Sequence, residues 1–496
     1  MPSPGHSICM VYRIASGRGA RTRGQDYGAS VTVDQDPKKN ILFVAYFFPP
    51  WGGSGTQRSV KFVKYLPEMG YNPLVLAAAE ESADYAWDRE LLEEIPDAQI
   101  FRCRGLERWF MQLPRKVKLH RLVSFWTRPD PLAYAWLPYA KRMARKIARR
   151  HPIRAIYTTL SPLSSALLGM QLKKRLGVPW VLDYRDPWTT NPYAVFPTKF
   201  HYHLETWQER RALEAADAVV VVTPTMKDIL VRKYPQCEGK THVICNGFDR
   251  KDLVTAVETQ HGNDGRLRIG FTGTLRDHNV HPVGVGMDCG PLDKLWAALF
   301  SYRRAVQDNS THSPYYLLHA VRALLDERPE LEDAIELSFA GTFGGENEKL
   351  VKQLKLEGVV SVKGYVSHSE SIRLLQESDV LFFPLPSPSN GERSYIHAGK
   401  LFEYLAVRKP ILATIPEGDA QDVIQRARAG WCLDPRNVDA IKSLLEDLIA
   451  RKKAGDIRST LDEQYIQRFE RRELTRQLAA LIDSLPKPQA LAHTGS

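Results

Sequence analysis

Short apolar runs and amphipathic stretches alternate along this chain in two blocks, and that alternation leaves few folds open. In the first block, runs at 40–46, 72–77, 98–102, 153–158, 179–184 and 217–222 have strand length, and helical patterns occupy 56–69, 138–150, 161–176, 199–215 and 224–234. The second block repeats the scheme with strands at 267–272, 334–340, 359–363, 378–382, 410–413 and 431–433. Its helical patterns fall at 314–327, 345–355, 367–376, 398–407 and 437–451. Strand–helix units of this kind build parallel sheets with helices on both faces. At 496 residues the chain also exceeds what one hydrophobic core usually serves. The expected fold class is therefore α/β, two Rossmann-like domains facing a cleft, with ligands beyond the carboxyl ends of the strands.

The boundaries follow from breaks in the pattern. Residues 1–38 read as a disordered tail, 39–248 as the first domain, 249–266 as a polar linker after Asn246-Gly247-Phe248-Asp249, and 267–459 as the second domain. Residues 277–311 interrupt the second domain just after its first strand and read as an insertion. A helical stretch over 460–484 is placed to cross back to the first domain, and 485–496 is a polar tail.

Charge and composition narrow the partners. The net charge is +11, which favours an anionic partner or surface. No zinc-finger, RRM or KH signature accompanies it, so nucleic acid is not expected and a phosphorylated substrate or an acidic membrane face remains. The segment KRMARKIARR at 141–150 reads as a helix with one basic face, either solvated or lying against anionic lipid. Six scattered cysteines without a CxxC pair imply a reducing compartment, hence the cytoplasm, and the positive charge extends that expectation to the inner face of the plasma membrane. The N-terminus lacks the apolar core of a secretory signal, and no apolar run reaches the roughly 18 residues of a membrane helix. The lone D-x-D, Asp34 and Asp36, falls in the tail, so no metal and no cofactor are expected.

Four motifs carry chemistry. In GERSYIHAGKLFEYLAVRKPILATI, Gly399 and Lys400 open a helix with Glu403 in its first turn. A helix N-terminus offers unpaired N–H groups and positive dipole charge to a phosphate. Lys400 adds a cation and Glu403 can accept a ribose diol, so the pair suggests a nucleotide. The first strand runs into WGGSGTQR, where Gly52, Gly53 and Gly55 permit a sharp turn near a ligand and Thr56 is placed to cap the next helix. VPWVLDYRDPW delivers Asp183, Arg185, Asp186 and Trp188 at a strand end, where charge is costly unless paired or used. FTGTLR ends a strand at Gly273 with Arg276 beyond it, suited to forking onto a diphosphate. FAGTFGGENEKL repeats the pattern with Gly341, Gly344 and Gly345, which serve equally well as turn residues.

Taken in order, PPWGGSGTQR, TLSPLSSALLG, VPWVLDYRDPW, ADAVVVVTPTM, VICNGFD, FTGTL, FAGT and GKLFEYLAVRKPIL with AGWCL resemble the GT-B glycosyltransferases over about residues 40–484. The nearest likeness is to retaining, family-4-like enzymes of bacterial surface-polysaccharide assembly. The resemblance implies that the first domain takes a glycan or lipid-linked acceptor and the second a nucleotide-diphosphate sugar. It implies Gly52 and Gly53 beside the sugar and phosphates, and Gly273, Gly341 and Leu401 around the donor. Arg276 and Lys400 would neutralise the leaving diphosphate, Glu403 would hold the ribose, and Asp186 with Arg185 would contact the transferred sugar. Two positions depart from the pattern. The acid usually found eight residues before Glu403 is Tyr395, with Glu392 out of register, and the usual Lys after the diphosphate Arg is displaced by the insertion. A nucleotide-sugar epimerase of the same fold and a non-catalytic partner of a polysaccharide assembly are the alternative readings.

Overall fold

The structure is a computed structural model that describes residues 39–80, 88–106, 126–253, 265–278, 302–303, 307–457 and 460–488. The 1–38 tail, 489–496 of the C-terminal tail, 254–264 of the expected linker and most of the 277–311 insertion lie outside the described residues.

In the first domain, strands β1 (Asn40–Val44), β2 (Asn72–Ala78), β3 (Gln99–Cys103), β4 (Ile153–Thr159), β5 (Trp180–Asp183), β6 (Ala218–Val221) and β7 (Thr241–Val243) form one sheet in the order 3-2-1-4-5-6-7. Every pairing is parallel. The residues of β1, β5 and β6 are buried throughout, as expected of strands covered on both faces. One apolar layer contains Leu42, Leu76, Ile156 and Trp180, the other Phe43, Val75, Tyr157 and Val220.

The second domain repeats this plan. Strands β8 (Leu267–Thr274), β9 (Ile335–Thr342), β10 (Val360–Val362), β11 (Val380–Pro384), β12 (Ile411–Thr414) and β13 (Gly430–Leu433) pair in the order 10-9-8-11-12-13. In each sheet the order reverses beside the first strand, between β1 and β4 and between β8 and β11. Loops diverge there and leave a crevice at the carboxyl ends of the strands.

Helices α1 (Ser54–Tyr65), α2 (Pro131–Arg150), α3 (Lys199–Ala215), α4 (Gly345–Gln353), α5 (Gly399–Val407) and α6 (Arg471–Ser484) matter most for the site. The chain passes between the domains twice, and the two passages touch. Phe248 N–H donates to Phe469 O at 3.0 Å, and Arg471 N–H donates to Phe248 O at 2.8 Å. Any side chain at Gly247 would collide with Phe469 O, which explains that glycine. The helix expected over 460–484 is broken at this crossing into Glu463–Gln467 and α6, because the passing backbone needs an extended partner. Beyond it, Leu474, Leu478 and Ile482 of α6 enter the core of the first domain. Asp249 is tied to α1 by Lys61 at 3.0 Å, Lys64 at 2.8 Å and the Tyr65 hydroxyl at 2.9 Å.

Three features differ from expectation. The three-residue edge strand β7 is too short for periodicity to reveal. Two small antiparallel ribbons, Tyr302–Arg303 against Val195–Phe196 and Gln307–Asp308 against Ser387–Pro388, join the C-terminal part of the insertion to both domains. The basic segment 141–150 is not an interfacial helix: it is the second half of α2, and Ala144 and Ile147 of its apolar stripe are buried in the first domain's core.

Candidate functional site

Pro410 ends one apolar stretch and β12 follows, so α5 is short, and its start falls at the crevice beside β11. Ala398 is its N-cap and supplies no side-chain hydrogen bond. The first-turn N–H groups and the dipole are thus left without a capping side chain. Lys400 lies directly against Gly273 at the end of β8. Gly273 has φ +126°, and a β-carbon there would overlap the Lys400 side chain. Gly341 sits opposite Gly273 in the β8–β9 register with φ +110°, and a β-carbon on it would strike Gly273 O. Bare backbone on both strands therefore opens the space that the Lys400 stem fills.

Arg276 enters the same neighbourhood. Its N–H donates to His312 O at 3.1 Å, and its guanidinium lies 5.3 Å from the Tyr193 ring centroid of the first domain. Among the described residues neither Arg276 nor Lys400 makes an ion pair or a side-chain hydrogen bond. His312 lies within electrostatic reach of both, and burial with these two cations pushes its imidazole down to about 4. Two unneutralised cations, a neutral imidazole and an uncapped helix start make a site for a multiply charged anion.

The first domain supplies the facing wall. Gly53, φ +107°, is the N-cap of α1 and again no side chain caps the helix. Thr56, expected as that cap, instead donates from its hydroxyl to Gly52 O at 3.3 Å within the first turn. The Arg185 guanidinium rests on Gly55, where a β-carbon would overlap it, and its Nε donates to Leu160 O. Arg185 also holds Asp186 at 3.5 Å, and Asp186 is half exposed. Tyr395 is half-buried, packs against the first domain's core, and lies within electrostatic reach of Asp186 and Tyr193. Asp186, Tyr395, Tyr193 and Arg276 thus form a chain of neighbours across the cleft.

Other expected site residues fall elsewhere. Asp183 accepts Arg58 Nε at 3.1 Å and Nη2 at 3.0 Å, the Tyr157 hydroxyl at 2.7 Å and the Thr159 hydroxyl at 3.1 Å, wholly out of water. Trp188 Nε1 donates to Glu205 at 2.9 Å. Leu401 places its side chain in the core, and its N–H donates to Ala398 O at 3.1 Å, so it adds nothing to the crevice. Glu403, one turn beyond Lys400, lines a hollow of about 30 Å³ with Gln57, Lys61, Phe248 and Arg471. Arg471 is fully buried, its Nη1 has no hydrogen-bond partner, and burial pushes it down to about 10 with Glu403 among the nearby acids. Gly344, with φ +93°, leaves room for Asp277, which accepts the Glu346 N–H at 3.0 Å and the Asn347 N–H at 3.3 Å. The start of α4 is therefore filled by the protein's own carboxylate.

His312 and Tyr193 carry no motif, and neither was found from the sequence. His312 is delivered by the end of the insertion, and the one signal for it is its distance from the FTGTLR motif that the insertion interrupts. The domains meet beside the site through Asp419, which accepts the Thr225 hydroxyl at 2.9 Å and N–H at 3.2 Å, and through His397 Nε2, 2.8 Å from Val222 O.

Two family models match in tandem, Glycosyltransferase Family 4 over residues 54–252 and Glycosyl transferases group 1 over 307–451. A putative colanic acid biosynthesis glycosyltransferase of Salmonella typhimurium is 24% identical over 138 residues, 27% of this chain and 34% of that protein. The matched stretch thus spans about a third of that relative's length. A glycosyltransferase from Rickettsia africae superposes with TM-score 0.56 at 15% identity, covering 90% of this chain and all of that one. Anabaena HepE, solved in complex with UDP-glucose, does so with TM-score 0.51 at 15% identity and the same coverage. These likenesses establish the two-domain fold.

Proposed function

We propose that the chain is a GT-B glycosyltransferase that moves a sugar from a nucleotide-diphosphate donor to a glycan or lipid-linked acceptor in surface-polysaccharide assembly, a reading supported by the two glycosyltransferase family models that match its two halves. The observation that carries this reading is the pairing of Lys400 and Arg276, without counter-ions among the described residues, around the uncapped start of α5. Cleaving a sugar–phosphate bond places negative charge on the departing diphosphate. Fixed cations and helix N–H groups aimed at that charge lower the barrier without reorganising. Arg185, on the start of α1, faces the same cleft from the acceptor domain, and Asp186 beside it is the polar group nearest the transferred sugar. Glu403 serves the ribose hydroxyls in this reading, with Arg471 within electrostatic reach of its carboxylate. Transfer proceeds with retention, as the family resemblance implies, and needs no metal.

Incubation with a panel of nucleotide sugars and lipid-extracted acceptors, followed by NMR of the product's anomeric proton, tests the proposal. Release of the diphosphate with an inverted anomeric centre contradicts retention. Release that is undiminished in Lys400→Ala and Arg276→Ala contradicts the site.

A membrane-bound acceptor also fits the surface. Phe200 and Trp207 stand exposed two turns apart on α3, at 69% and 53%, with exposed Tyr134 hydrogen-bonded to Gln208 beside them. Trp126 is 76% exposed, and Arg128 close behind it pairs with Glu205 of α3. Aromatic rings flanked by Lys199 and Arg211 suit an anionic bilayer interface. No helix among the described residues is long and apolar enough to cross a membrane. Sedimentation with phosphatidylglycerol vesicles should be lost in the Phe200→Ser/Trp207→Ser double variant. Equal sedimentation of the two proteins contradicts the contact.

A further inference from the structure

Arg471 is a charge at the domain junction that the fold leaves unmatched. It is 6% exposed, its Nη1 is closed off from solvent without a hydrogen-bond partner, and among the described residues it makes no ion pair. A buried guanidinium in that condition is costly, and native folds keep few such groups without a use for them.

Three carboxylates lie within electrostatic reach of it, Glu403, Asp252 and Asp249. Two of them are already matched. Asp249 accepts from Lys61, Lys64 and Tyr65, and Asp252 accepts from Lys61 at 2.8 Å. Glu403 is the third. Half-buried, it makes neither an ion pair nor a side-chain hydrogen bond among the described residues. Glu403 and Arg471 line one hollow of about 30 Å³, room for about two waters. A water held there satisfies Nη1 and one side of the carboxylate together.

Both partners start from anchored backbone. Arg471 is the first residue of α6, and its N–H is spent on Phe248 O at 2.8 Å. Helix α5 is gripped from the same passage. Arg408 pairs with Glu463 at 2.7 Å and donates to Leu405 O at 2.9 Å and Ala406 O at 3.0 Å. The carboxylate and the guanidinium thus extend from elements tied to one crossing.

We propose that Arg471 is a positioning residue for the donor's ribose, acting through Glu403. A carboxylate offers about four acceptor sites on its two oxygens. With one oxygen engaged by Arg471, the other is left for the 2′- and 3′-hydroxyls and need not be ordered when the nucleotide arrives. The inference rests on the transfer reading above, which puts the ribose at Glu403. If Arg471 only balanced Asp249 and Asp252, its loss would change stability and leave ribose recognition untouched.

Calorimetric titration of the full chain with UDP, GDP and ADP, and with their 2′-deoxy forms, tests this. The nucleotide that binds should favour ribose over deoxyribose about tenfold in the wild type. That ratio should fall to about threefold or less in Arg471→Met and in Arg471→Gln, the second keeping a polar side chain where the first fails to fold. Arg471→Lys should restore most of it. In Glu403→Ala the preference should be lost, and adding Arg471→Met there should change nothing further. Lys400→Ala should weaken both forms alike. A ratio unchanged in both charge-removing variants, or one that Arg471→Met still shifts in the Glu403→Ala background, overturns the inference. A wild type that binds nucleotide without preferring ribose overturns it too, and leaves the diphosphate site standing. Failure of every nucleotide to bind overturns the transfer reading, and this inference with it.

Discussion

VLDYRDPW and GKLFE both place charge beside the carboxyl ends of parallel strands, yet the fold uses them in opposite ways. In the first, Asp183 is met by Arg58, Tyr157 and Thr159, and the loop that follows is held through Trp188 and Glu205. In the second, Lys400 reaches along Gly273 toward Arg276, and among the described residues nothing neutralises either. Charge with partners is scaffold, and charge without them is a site. The same contrast separates two helix starts: α4 is filled by Asp277, whereas α5 is left open.

The largest expected effect tests the scaffold side of this contrast. Arg58→Met strands a fully buried Asp183 and should destabilise the first domain by about 3–5 kcal/mol in urea denaturation. A variant that keeps its stability and loses activity alone would make Asp183 part of the site instead. Next come the open cations. Lys400→Ala and Arg276→Ala should each lower turnover by about 10²–10³-fold, with stability changed by no more than about 0.5 kcal/mol. Comparable loss of stability would move them into the scaffold class.

Asp277→Ala should cost about 1 kcal/mol by uncapping α4, read as a lower denaturation midpoint, with less effect on donor binding than Lys400→Ala. The smallest effect is one of pH. His312 is held neutral, down to about 4, so its contribution is complete above its ordinary pKa near 6.5. It is lost as pH falls from there toward about 4. Buried His397, also pushed down, adds the same sign. A bound diphosphate favours the imidazolium, so the acid decline should be shallower with nucleotide present. A steeper decline contradicts His312 as a neighbour of the anion.

Much of this was legible from residue patterns because β1, β5, β6 and their counterparts are continuous apolar runs, which only doubly covered parallel strands need. Gly273, Arg276 and Lys400 were legible because strand ends and helix starts have recognisable chemistry. What escaped is pairing across long separations. Nothing near Asp183 announces that Arg58, 125 residues earlier, will neutralise it. Nothing near Thr56 shows that Gly53 will serve as the cap. Tyr395, read as a departure from the expected acid, becomes intelligible only once Tyr193 and Asp186 are seen beside it. His312 was hidden because it directly follows the insertion, which breaks the strand–helix rhythm.

The central claim is that the opening of α5, with Lys400 and Arg276, holds a diphosphate. Calorimetric titration of the full chain with UDP, GDP and ADP measures it directly. The account predicts that at least one of them binds the wild type and that Lys400→Ala weakens it at least tenfold while the variant stays folded. Failure of all three to bind, or equal affinity in the variant, would contradict it.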